Sequence, residues 1–156
     1  MGSGKSTMGR LLAEQMKIPF IDLDERIELV EGTSVADIFT TKGEAYFRKL
    51  ESAMLTEILD REKSYVLATG GGTPCFFEQM QLLNERCMTI YLRCSSSVLQ
   101  VRLTDSSQSR PVLSNLSDGI SEHLMEREKI YSKAQIIVNG ELPILELSQY
   151  IQMLLI

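Results

Sequence analysis

Met1-Gly2-Ser3-Gly4-Lys5-Ser6-Thr7 opens the chain. It carries the G-K-S core of a phosphate-binding loop, G-x-x-x-x-G-K-[ST], without the first glycine of that pattern. Backbone N–H groups of such a turn converge on one anion. Lys5 adds a mobile positive charge for the outer phosphates of a nucleotide, and Ser6 offers a hydroxyl to Mg²⁺. Met8, Leu11, Leu12 and Met16 follow at helical spacing, so the loop is expected to run straight into a helix with one buried face. A flexible Gly/Ser leader before an ordinary helix is the plainer alternative, and the helix that follows directly is what weighs against it.

Outward from the loop, short apolar runs alternate with longer amphipathic stretches, the pattern of a parallel sheet covered by helices. Strands are predicted over 18–23, 65–68, 87–92 and 135–138. Helices are predicted over 25–31, through Phe47, Leu50, Met54 and Ile58 to about Arg61, over 96–103, through Ile120, Leu124, Arg127 and Tyr131, and through Ile144, Leu147, Ile151 and Leu154. The stretch 104–115 is polar, carries Arg110-Pro111 and has little apolar periodicity, so it reads as an exposed, mobile lid. The expectation is an α/β fold of the P-loop type, three layers αβα with a parallel sheet. A phosphate loop normally follows a central strand. That first strand is expected to be missing from this chain, leaving a gap in the sheet.

The 156 residues fit a single domain, and 44% hydrophobic with 24% charged residues is an ordinary globular composition. A formal net charge of −5 argues against nucleic acid or an anionic membrane as the main partner, since both reward a basic surface. Cys75, Cys87 and Cys94 are odd in number and lack C-x-x-C spacing, which favours free thiols over a zinc site or a disulfide framework. No signal-peptide pattern and no apolar run of membrane-spanning length is present in the sequence. A cytoplasmic location is expected.

Several residues could carry chemistry. Asp22 and Asp24 lie two apart at the carboxyl end of a predicted strand, where both side chains leave one face and sheet ligands gather. The plainer reading is a turn with Asp24 capping a helix that starts at Glu25. Gly70-Gly71-Gly72 follows the next strand, and three glycines in a row are entropically costly unless the backbone turns sharply or something must approach closely. Arg48 follows Phe47 on an otherwise apolar helical face, and Arg127 shares a face with Leu124 and Tyr131. Both guanidinium groups are expected to point inward, where they call for a carboxylate or phosphate. Snorkelling surface arginines are the alternative. Arg110 in the polar loop could neutralise charge on a transferred phosphoryl group, and lone His123 reads as structural.

This ordered set, from Gly2-Ser3-Gly4-Lys5-Ser6-Thr7 through Asp22-Leu23-Asp24, Phe47-Arg48, Gly70-Gly71-Gly72 and Arg110-Pro111 to Arg127 with Tyr131, closely resembles the shikimate kinases along nearly the whole chain. The resemblance implies transfer of the γ-phosphoryl group of ATP to the 3-hydroxyl of shikimate, on the way to chorismate and the aromatic amino acids. It also implies Mg²⁺ as cofactor and a monomer acting on a small molecule, with no nucleic-acid or membrane partner. By the resemblance, residues 2–7 hold the nucleotide phosphates, Lys5 takes part in the transfer, and Ser6 and Asp22 serve the metal. Asp24 meets the substrate hydroxyls and is the base. Arg48 and Arg127 grip the carboxylate, while Gly71 and Gly72 bring backbone N–H groups to the substrate. Arg110 reaches the transferring phosphoryl from the lid, and Arg102 lies toward the adenine.

Three other readings compete. A gluconate kinase would carry a histidine after the first acidic turn, and residues 25–40 hold none. A nucleoside-monophosphate kinase fits less well, because Asp24, Arg48 and Arg127 suit a small hydroxylated acid better than a base. A catalytically idle nucleotide-binding domain would have no need of Asp24, Arg48, Arg110 and Arg127 together.

Overall fold

The computed structural model describes residues 2–105 and 120–155. The predicted lid, with Arg110, falls almost wholly outside the described residues, and so does the side chain of His123. Residues 6–79 form one compact unit; residues 1–5 with 80–156 form another.

In the first unit, helix α1 (Lys5–Met16) starts directly behind the glycine turn, as the apolar spacing requires, and buries Met8, Leu12 and Ala13. Strand β1 (Phe20–Asp22) pairs in parallel with β2 (Val66–Ala68), with Asp22 opposite Ala68. That register brings the chain leaving β1, Asp22 to Asp24, and the chain leaving β2, Thr69 to Gly72, to the same carboxyl edge of the ladder.

Helix α2 (Leu23–Glu31) leaves β1 at once, with Asp22 as its N-cap; the Asp22 carboxylate accepts from the Asp24 N–H at 3.1 Å. This corrects the capping role considered for Asp24, and the start expected at Glu25. Asp22 already has the extended backbone a cap needs (φ −103°, ψ 121°), so the first turn closes two residues earlier.

Two further helices complete this unit. The sequence reading did not foresee α3 (Val35–Lys42), which is capped by Ser34 and stops at Gly43. Gly43 is also the residue from which α4 (Glu44–Arg61) departs. Helix α4 packs against both α2 and α3. Leu23, Ile27, Ile38 and Leu55 are fully buried there, each contributing roughly 1.5–3 kcal/mol. A 3₁₀ turn (Thr73–Cys75) packs on α4 directly after the three glycines.

The second unit contains α5 (Gln79–Arg86), whose first residue, Gln79, still belongs to the first unit, β3 (Ile90–Arg93), α6 (Ser96–Asp105), α7 (Ile120–Tyr131), β4 (Ile136–Asn139) and α8 (Ile144–Leu155). Strands β3 and β4 pair in parallel, Ile90 opposite Ile136 through Arg93 opposite Asn139. Leu92, Val138, Leu147 and Ile151 form its buried core, and α8 packs on β4. Among the described residues the strands form two parallel two-stranded ladders, β1–β2 and β3–β4. No helix among the described residues is long and apolar enough to cross a membrane.

Candidate active site

The phosphate-loop residues have the backbone that their sequence implies. Gly2 and Gly4 take φ of 73° and 84°, the left-handed region that costs a side-chain-bearing residue about 1 kcal/mol or more. Helix α1 begins at the next residue, Lys5. Its first-turn hydroxyl, Ser6 Oγ, donates to Asp22 Oδ2 at 2.7 Å. A hydroxyl and a carboxylate, both hard oxygen donors, therefore stand side by side. The described residues contain no group of three or more acidic, histidine or cysteine side chains able to cage a metal. That donor set fits Mg²⁺, which keeps most of its water and phosphate ligands and takes only one or two protein oxygens.

A second constellation is built on α4. Arg48 is only 8% exposed and Glu51, one turn on, 1%. Arg48 Nη1 donates to Glu51 Oε2 at 2.8 Å, while Nε and Nη2 both donate to Glu44 Oε1 at 3.2 and 3.1 Å. The other Glu51 oxygen accepts from Thr73 Oγ1 at 2.6 Å. The guanidinium carbon also lies 4.4 Å from the Phe76 ring centre and 5.2 Å from that of Phe47. This charge is thus buried, paired and walled by aromatic faces, which makes the inward orientation expected of Arg48 the observed one.

The glycine triplet lies against this network. A methyl group at Gly72 would stand 2.6 Å from Arg48 Nη1 and 2.7 Å from its Cζ. Only hydrogen fits between the loop and the guanidinium. A methyl at Gly70 would stand 3.0 Å from each of Asp24 Oδ1, Glu51 Oε1 and Thr73 Oγ1. The Asp24 carboxylate and the Arg48 network therefore meet at one short piece of backbone. Asp24 itself is half-buried on the first turn of α2. Of the residues singled out from the sequence, Ser6, Asp22, Asp24, Arg48 and the loop of Gly70 to Gly72 are brought together in this unit.

Lys5, Arg102 and Arg127 belong to the other unit. Arg127 is half-buried on α7. Arg102, in the last turn of α6, donates to the Gly140 carbonyl from Nη1 and Nη2 at 3.4 and 3.3 Å, and from Nη1 to Cys94 Sγ at 3.7 Å. Burial pushes the Cys94 thiol above its usual pKa, against the opposing pull of Arg102. Glu141 beside it is held below the usual carboxylate range, chiefly by the Ser95 N–H that it accepts at 2.6 Å. Cys75, Cys87 and Cys94 form no disulfide.

Sequence reasoning missed Glu44, Glu51, Thr73 and Phe76. The first two were within reach, since Glu44, Arg48 and Glu51 fall at i, i+4 and i+7 on one helical face. Thr73 and Phe76 lie across a loop from α4, where local spacing carries no signal.

A family model described as "SKI: Shikimate kinase" matches residues 1–153. The chain belongs to the shikimate kinase family. It is 43% identical to the shikimate kinase of Aquifex aeolicus over 143 residues, covering 92% of this chain and 84% of that protein. To the shikimate kinase of Bacteroides thetaiotaomicron it is 40% identical over 146 residues, covering 90% and 83%. Among solved structures, the crystal structure of the Bacteroides thetaiotaomicron shikimate kinase superposes with a TM-score of 0.90 at 38% identity, covering 99% of this chain and 93% of that one. The Acinetobacter baumannii shikimate kinase in complex with shikimate gives 0.89 at 32% identity, covering 99% and 88%. The fold is accordingly the P-loop α/β fold of that family, and the chain is an ATP-dependent kinase.

Proposed function

We propose that the chain transfers the γ-phosphoryl group of ATP to the 3-hydroxyl of shikimate, with the residues named above dividing the work. The observation that carries this reading is Arg48, a guanidinium 8% exposed and set against Gly72, in the same short glycine loop whose Gly70 lies against the Asp24 carboxylate. A small acid that also bears hydroxyls is the substrate such a pairing suits. Its carboxylate meets the planar fork of Arg48, with Arg127 as the second guanidinium in this assignment, and its hydroxyl meets Asp24. Gly71 and Gly72 offer N–H groups at close approach.

In the transfer step the 3-hydroxyl oxygen forms a bond to Pγ as the bond from Pγ to the bridging oxygen breaks. ADP leaves, and Asp24 takes the hydroxyl proton. Positioning and charge neutralisation account for most of the acceleration in such a reaction. In this assignment residues 2–7 cradle the phosphates. Lys5 and Arg110 spread the charge that develops on the transferring group, and Arg102 lies toward the adenine. Ser6 and Asp22 would hold Mg²⁺, whose contribution when bound is to neutralise the β- and γ-phosphate oxygens. We also infer that the protein works as a monomer in the cytoplasm, on a small molecule and without nucleic acid or membrane. The acidic net charge of −5 and the free thiols support this.

A coupled ADP-release assay with Mg·ATP and, in turn, shikimate, gluconate and nucleoside monophosphates tests the assignment. ADP release that depends on shikimate alone is the expected result. Turnover with another acceptor and none with shikimate would overturn it.

A further inference from the structure

We propose that Glu44 is a built-in competitor for the substrate's carboxylate: it occupies one edge of the Arg48 guanidinium and must swing away before the acid docks. The two acidic partners of Arg48 are not equivalent. Glu51 is 1% exposed and holds Thr73 Oγ1 at 2.6 Å with its second oxygen, so it is fixed at both ends. The Glu44 side chain is 55% exposed, and its one engaged oxygen is shared between Nε and Nη2 at 3.2 and 3.1 Å. It is the first residue of α4, directly after Gly43 at the junction with α3. Of the two carboxylates, Glu44 is the one that solvent can accept at little cost.

The edge it covers matters. A guanidinium binds a carboxylate best in parallel, two donors to two oxygens, and Nε with one Nη forms such a donor pair. Glu44 meets that pair with a single oxygen, so an incoming acid with both oxygens available makes the better partner. Charge points the same way. Arg48 between Glu44 and Glu51 leaves this cluster one negative charge in excess, which repels an acidic substrate. With Glu44 turned to solvent, Arg48 and Glu51 balance, and the substrate anion no longer faces a net negative site. Displacing Glu44 is then part of binding, and Glu44 lowers the apparent affinity for the acid by the strength of its own hold on Arg48.

This inference rests on Arg48 receiving the substrate carboxylate, and the experiment separates the two. Shikimate binding is measured by calorimetry on the full protein and on Glu44→Gln, Glu44→Ala, Arg48→Ala and Glu44→Gln/Arg48→Ala, with thermal melts on each and steady-state kinetics on the two Glu44 variants. Glu44→Gln keeps the side-chain volume and removes the charge. It is expected to bind shikimate about two-fold to ten-fold more tightly, the range for an ion pair with one exposed and one buried member. The gain should appear in the shikimate KM and not in kcat, and Glu44→Ala should move the same way. Unchanged or weaker shikimate binding in a Glu44→Gln protein with a normal melt would overturn the inference. If Arg48→Ala binds shikimate as the parent does, the assignment of Arg48 is what fails. If Arg48→Ala weakens binding, the gain from Glu44→Gln should shrink in its background, since only charge repulsion is then left to relieve; a gain there as large as in the parent would overturn the competition for Arg48.

Discussion

Gly72→Ala isolates the Arg48 site with a single methyl group. Gly72 sits at φ −87°, ψ −23°, a backbone any residue adopts, so alanine introduces no dihedral strain. What it introduces is contact: the new methyl would lie 2.6 Å from Arg48 Nη1, where ordinary van der Waals contact begins near 3.4 Å. Nη2 lies closer still, so the guanidinium has to retreat by about 1 Å. Its bonds to Glu51 at 2.8 Å and to Glu44 at 3.1 Å cannot both survive that shift. Losing one charge-assisted hydrogen bond costs about 1.5–3 kcal/mol, so we expect urea unfolding to report a loss of about 2 kcal/mol. Catalysis should divide sharply. Misplacement by that distance of the group proposed to grip the carboxylate is expected to raise the shikimate KM by about ten-fold to a hundred-fold, while the ATP KM moves by less than about two-fold. Urea melts and a two-substrate kinetic matrix are the assays. A variant with parental stability and parental shikimate KM would refute the contact between Gly72 and Arg48. A variant losing affinity for both substrates in proportion would show that Gly72 matters to the fold alone.

Asp22→Asn keeps a good N-cap for α2 but removes the charge beside Ser6 Oγ. The melt should therefore stay within about 1 kcal/mol of the parent, while the Mg²⁺ concentration for half-maximal activity rises several-fold; an unchanged Mg²⁺ titration would remove Asp22 from the metal site. Because burial raises the Cys94 pKa, its thiolate is scarce at neutral pH, and alkylation followed by peptide mass spectrometry should be slow at pH 7 and accelerate as pH climbs past the ordinary thiol range. Rapid labelling of Cys94 at pH 7 would contradict the burial.

How much of this was legible in the sequence depended on whether a signal was local. The helix behind the glycine turn, the apolar face of α4 and the inward Arg48 were readable because each rests on spacing within a few turns. Helix α3 was missed: it is eight residues long with a single buried side chain, Ile38, too short to show a period, although Ser34 before it and Gly43 after it mark its ends. The start of α2 was placed late because either aspartate could cap a helix, and the extended backbone at Asp22 decided between them. The Glu51 to Thr73 bond joins residues 22 apart. Its existence depends on how the turn after β2 packs on α4, which no local pattern encodes.

In the proposed mechanism Asp24, on the first turn of α2 beside the Arg48 network, accepts the proton from the substrate hydroxyl. Single-turnover phosphoryl transfer by Asp24→Asn, measured by rapid quench at saturating shikimate and Mg·ATP beside a thermal melt, tests it most directly. We expect the transfer rate to fall by about a hundred-fold or more, with the melt within about 2 °C of the parent's. A transfer rate within about three-fold of the parent's, or a rate that falls only in step with stability, would contradict it.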